Sequence, residues 1–125
     1  LNSDLDLERL STKLVERVRE TLAIERISLL LAESDADGGD FVPVASGGVD
    51  DPSALRIARD SALGVRLLSG QAVSIDDPVP LRRLMGDEAS VWRDAGWHAF
   101  VPCVSKEVTI GVLAVGRRGR YEPLS

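Results

Sequence analysis

The most constraining stretch of this 125-residue chain is its last third. Trp97 to Val104 and Val108 to Val115 are two apolar runs on either side of the short polar break Ser105-Lys106-Glu107. A break that short leaves no room for a crossover helix, so the two runs read as an antiparallel hairpin. Much of the hairpin is apolar on both sides, and a sheet of that kind has to be covered by other elements.

The preceding residues supply the cover. Asp4 to Leu22 reads as a helix, with Leu7, Leu10, Leu14, Val15, Val18 and Leu22 recurring at spacings of three and four on one face. Arg26 to Glu33 reads as a strand that is apolar on both sides, as expected of an inner strand. Ser34 to Asp40 is a turn by composition, and Phe41 to Ala45 is a second strand forming a hairpin with the first. Pro43 cannot donate to a ladder, which places this strand at an edge.

The region from Ser53 to Gly70 has two readings. It is either one helix carrying Leu55, Ala58, Ala62 and Leu63, or a short strand Leu55–Arg59 followed by a helix capped by Asp60 or Ser61 and ending at Gly70; the second is preferred. Ala72 to Ile75 is a short strand stopped by Asp76-Asp77-Pro78. Pro80 to Ala95 is again helical through Leu81, Leu84, Met85, Ala89 and Trp92, broken by Gly86 and ended by Gly96. The expectation is an α+β domain with a central, mostly antiparallel sheet of five or six strands and helices packed on it.

Bulk properties narrow the function. The length suits one domain, residues 1–125. No apolar run is long enough to span a bilayer, and no signal-peptide pattern opens the chain. A net charge of −5 disfavours broad contact with nucleic acid or anionic lipid. The single cysteine, Cys103, cannot form an internal disulfide, which fits a reducing, cytoplasmic setting.

The stretch Phe100-Val101-Pro102-Cys103-Val104-Ser105-Lys106-Glu107-Val108-Thr109-Ile110-Gly111-Val112-Leu113-Ala114-Val115-Gly116 resembles the closing hairpin of the GAF domain family. In that family a proline-bearing strand and a polar turn lead into an isoleucine-glycine-valine-leucine strand. Ser61-Ala62-Leu63-Gly64 through Leu68-Ser69-Gly70-Gln71-Ala72-Val73-Ser74-Ile75-Asp76-Asp77 is similar to that family's short helix, glycine and strand ending in acidic residues. The resemblance covers about Leu7 to Ser125 and implies a GAF/PAS-like fold. It further implies a regulatory, non-enzymatic sensor domain of a bacterial-type signalling protein. Such a domain passes the binding of a small molecule to an output domain in the same chain, a kinase, phosphatase or cyclase. The chain ends where the family's final helix would start, so the expectation is a domain without that helix. A ligand-free dimerisation module is the alternative, with a homodimer formed through the first helix, and a GAF-fold reductase is a further one.

By the same resemblance, a ligand would lie between the sheet and the crossover Asp76–Gly96. The candidate lining residues are Leu84, Met85, Trp92, Trp97, His98 and Phe100; the competing reading is that they fill the core. No cofactor is assigned. One histidine without a neighbouring cysteine or acidic cluster makes a poor metal or haem site. Cys103 lies in an apolar strand, where a thiol is inert. His98 and Cys103 do not match the cysteine–histidine pair of bilin-binding members, one cysteine is too few for the reductase members, and the cyclic-nucleotide signature is missing. Asp35, Asp37 and Asp40 lack the closing glutamate of a calcium loop.

Overall fold

The computed structural model describes residues 3–33, 39–75 and 87–117. Helix α1 (Ser3–Leu22) leads into β1 (Ile27–Ala32) and β2 (Phe41–Gly47). A single 3-10 turn (Pro52–Ala54) precedes α2 (Ala62–Leu68) and β3 (Val73–Ser74). Helix α3 (Asp87–Asp94) is followed by the long hairpin of β4 (Trp97–Ser105) and β5 (Val108–Gly116). The five strands form one antiparallel sheet in the order β2-β1-β5-β4-β3.

The inner position read for the first strand is correct: β1 pairs with β2 on one side and β5 on the other. Pro43 lies in the outer strand β2, at a bulge where Leu29 pairs with Ala45 and Leu30 with Pro43. The missing proline N–H therefore falls where the ladder is already interrupted. Gly111 lets β1 approach, since a Cβ there would lie 2.8 Å from both the Leu30 carbonyl oxygen and Leu31 Cδ2. At the hairpin tip Lys106 and Glu107 both take positive φ, 52° and 67°, between the paired residues Ser105 and Val108. That backbone matches the right-handed twist of the flanking strands, although neither residue is the asparagine or glycine such a turn favours.

Each face of the sheet has its own core. On one face Leu30, Phe41, Ile57, Leu63, Leu67, Ile75, Phe100 and Val112 are buried together with residues of α2 and α3. On the other, Val15 of α1 packs over Ile27, Leu29 and Ala45, with Cys103, Leu113 and Val115 partly buried around them.

Two expectations need correction. Leu55–Arg59 is not a strand; Ile57 makes one isolated bridge to Phe41, and the rest of the segment is held by side chains. Arg56 Nη2 reaches Glu33 Oε1 at 2.8 Å and its Nε reaches Asp40 Oδ2 at 3.0 Å, while Asp40 Oδ1 accepts the Arg59 N–H at 3.0 Å. The Arg59 N–H is the main cause of a lowered Asp40 pKa; slight desolvation opposes it, and the Arg56 guanidinium adds to it. Asp40 thus works in a structural latch. The apolar stripe of α1 is the second correction: the helix turns Ser11 and Val15 to the sheet, not its leucines. Leu7, Leu10 and Leu14 are 50%, 65% and 50% exposed.

Candidate functional site

A β-strand alternates faces, so Trp97 and Phe100, three apart, should point opposite ways. They do not. The pairing jumps from Trp97–Gly116 to Ala99–Val115, which leaves His98 as the extra residue of a bulge. The bulge brings Trp97 and Phe100 into the same core. Trp92 of α3 meets Phe100 edge-on at 5.4 Å between ring centroids and 69° between planes. Trp97 lies 6.5 Å from Phe100 at 41°. Three of the expected lining residues are therefore brought together as one aromatic cluster.

They differ in access. Phe100 is wholly buried and Trp97 is 4% exposed, so the body of each fills the core. Trp92 is half-buried. His98 is half-buried as well, and its carbonyl accepts the Ile75 N–H at 2.7 Å. Leu84 and Met85, with the first part of the crossover, lie outside the described residues.

Trp92 and Trp97 line one side of a cleft of about 200 Å3 at the end of this face. Its other walls come from elements the sequence did not single out: Arg26 before β1, and Asp50, Asp51 and Leu55 around the 3-10 turn. Asp51 Oδ1 accepts the Ser53 hydroxyl at 2.6 Å, which fixes that turn. Arg26 Nη1 donates to the Ala95 carbonyl at 2.8 Å, just past the C-terminus of α3, where a cation also meets the helix dipole favourably. No periodic pattern marks Arg26, Asp50 or Asp51, because each lies in a connection just beyond the Ile27–Gly47 end of the β1–β2 hairpin.

Glu88 is another residue without a sequence signal. Its Oε2 accepts Trp92 Nε1–H at 3.3 Å, and its Oε1 faces the Leu63 N–H in the first turn of α2 at 3.4 Å. One carboxylate thus orients the indole and ties α3 to α2. Arg93 donates from Nη2 to the Ile75 carbonyl at 3.0 Å, which ties α3 to the end of β3. Burial pushes the Cys103 thiol above its ordinary pKa, which disfavours the thiolate a nucleophile needs. Among the described residues no three His, Cys, Asp or Glu side chains stand together as a metal cluster. Among them, too, no helix is long and apolar enough to cross a membrane.

Comparison with known proteins agrees with this architecture. A Staphylococcus aureus NreA protein mutated in its nitrate-binding site superposes with a TM-score of 0.69 at 16% identity, covering 92% of this chain and 88% of that one. A GAF domain/HD domain protein of Geobacter sulfurreducens gives 0.68 at 20% identity, covering 99% and 82%. Residues 122 to 287 of a methyl-accepting chemotaxis protein give 0.64 at 24% identity, covering 94% and 76%. No curated protein matches the sequence. The GAF domain family matches residues 6–125, almost the whole chain, and the chain belongs to that family.

Proposed function

We propose that this domain is a cytoplasmic small-molecule sensor that regulates an output domain of the same signalling protein and has no catalytic role of its own. The observation that carries the reading is the cleft at the end of the α2/α3 face, where Trp92 and Trp97 meet Arg26, Asp50 and Asp51. Apolar rings with a few convergent polar groups are the usual composition of a ligand site. The occurrence of the fold in a chemotaxis protein and in a protein with a nitrate-binding site supports a sensory role. Occupancy couples to output only if the ligand prefers one of two arrangements of the walls. Helix α3 is the candidate moving part, since it supplies Trp92 to the cleft and leads through Ala95 and Gly96 into β4.

A thermal-shift screen against metabolites and nucleotides tests this. A ligand present at about 100 times its Kd adds about 2.7 kcal/mol to stability. It should also change the tryptophan emission, and the change should shrink in Trp92→Phe or Trp97→Phe. A confirmed ligand that leaves both tryptophans unperturbed, and protects another region from hydrogen exchange, would place the site elsewhere.

Dimerisation is a second reading, favoured by α1. Leu7, Leu10 and Leu14 are exposed and follow the three–four spacing of a helix seam. On the same side of the sheet, Val101 is 43% exposed and pairs with the partly buried Leu113. That strip adds to the apolar surface a second copy could cover. Sedimentation should show concentration-dependent dimers that Leu10→Glu weakens at least tenfold; a strict monomer at high concentration ends this reading.

A further inference from the structure

The charges around the cleft are arranged in an unusual way. Arg26, Asp50 and Asp51 all line it, yet among the described residues they form no ion pair within 4.0 Å. Opposite charges that share a small cleft without pairing leave both signs available to a ligand.

Arg26 is held in place rather than left to solvent. A Cβ at Gly116 would lie 2.4 Å from Arg26 Cγ, and one at Gly96 would lie 2.7 Å from both Cζ and Nη1, so the side chain runs across two glycines. Its backbone is fixed as well, with the Arg26 carbonyl accepting the Gly116 N–H at 2.8 Å. The Ala95 carbonyl takes a single N–H from Nη1, and among the described residues Nε and Nη2 have no protein acceptor. A guanidinium has five N–H donors in a planar fork, so most of this one remains to meet a carboxylate. Asp51 uses one oxygen for Ser53, and Asp50 is exposed. Trp92, half-buried, and Trp97, 4% exposed, also line the cleft, and indole rings attract cations as well as apolar groups.

We propose that the cleft binds a small zwitterion, with its carboxylate on Arg26 and its cationic nitrogen toward Asp50 and Asp51, and with its apolar frame against Trp92 and Trp97. This rests on the sensor reading above and gives that site a ligand class. A lone anion would meet two aspartates and a lone cation would meet Arg26, so each single-charge ligand is opposed at one end. The cleft is small, about 200 Å3. That suits a small α-amino acid or an N-methylated relative such as a betaine. The two differ at the nitrogen: an ammonium donates hydrogen bonds to the aspartates, whereas a quaternary nitrogen relies on the rings.

The test uses the full 125-residue chain and calorimetric titration with L-alanine, L-valine, L-proline and glycine betaine. Isobutyrate and isobutylamine serve as single-charge controls. At least one zwitterion should bind with a change in tryptophan emission, and each control should bind at least tenfold more weakly. Arg26→Gln and the double change Asp50→Asn with Asp51→Asn should each weaken that zwitterion at least tenfold. Because Arg26→Gln also removes the bond to Ala95, Asp50→Asn alone, at an exposed side chain, should still weaken binding at least threefold with an unchanged melting temperature. Equal binding of a single-charge control, no effect of the aspartate changes, or failure of all four zwitterions at about 10 mM, tenfold above a Kd of about 1 mM, overturns the proposal. If all four fail while another compound from the metabolite screen perturbs Trp92 and Trp97, the zwitterion is wrong and the sensor reading stands.

Discussion

Phe100→Ala should remove about 4 kcal/mol of folding free energy, near the middle of the range for truncating a buried phenylalanine. Phe100 has no exposed surface and contacts both tryptophans from the centre of the larger core. The rings beside it are anchored elsewhere, Trp92 through Glu88 and Trp97 through the start of β4. They cannot collapse freely into the space left behind, so the cavity persists. A domain of this size has roughly 5–15 kcal/mol in total, so the variant keeps only part of its stability. Urea unfolding followed by circular dichroism should show the midpoint falling sharply, and the melting temperature should fall by on the order of 15 °C. A loss below about 2 kcal/mol would mean that the cluster repacks and that Phe100 is not the centre of the core.

Gly64→Ala should cost about 3 kcal/mol, the upper part of the range for overpacking a filled site. Gly64 is buried in α2, and a Cβ there would lie 2.1 Å from the Ala58 carbonyl oxygen and 2.8 Å from that of Arg59. Both obstacles are backbone. They belong to the turn that delivers Ser61, whose side chain caps α2 by accepting the Gly64 N–H at 3.0 Å. Relief would therefore require moving the cap and the helix together. Gly70→Ala is the control: its φ of +84° strains any side chain, but the nearest atom to an added Cβ is Val104 Cγ2 at 4.0 Å. Strain without a clash costs about 1 kcal/mol. If the two variants melt together, the close approach at Gly64 is not limiting.

These two positions show what the sequence makes legible. The hairpin, the inner strand and the proline-bearing outer strand all follow from period-two patterns and from a missing donor, which are local properties. The cluster at Trp97 and Phe100 depends on a bulge at His98, and one extra residue reverses the facing of everything on one side of it. Nothing in the pattern of a strand announces that residue. The rotation of α1 was hidden for a related reason. Leucine spacing marks the widest apolar arc, but the closest approach to the sheet is made by small Ser11, 4% exposed, and by Val15. The charged half of the cleft was harder to read: the hairpin of β1 and β2 brings its two ends together at the Ile27–Gly47 pair, but Arg26 and Asp50 lie in the connections beyond those ends, where no pattern says which way a side chain turns. Glu88 shows both cases: its bond to Trp92 is an i,i+4 pair within α3, a legible spacing, whereas its contact with Leu63 joins two helices 25 residues apart and has no local signal.

The order β2-β1-β5-β4-β3 also has a bearing on how copies of this domain can meet. At one margin β2 carries Pro43 and a bulge, and its first residue is already bonded to Ile57. At the other, β3 offers only Val73 and Ser74, and the β4 chain beyond it passes the end of α2 near Gly70. Among the described residues, neither edge strand presents a long, straight row of free donors and acceptors on which a foreign strand could template. Fibre growth and strand exchange are thereby disfavoured, although the hairpin itself is a valine-rich sequence of the kind that aggregates when exposed. Any association is left to helices and sheet faces, where contact geometry is set by side chains and one substitution can tune it without disturbing the ladder.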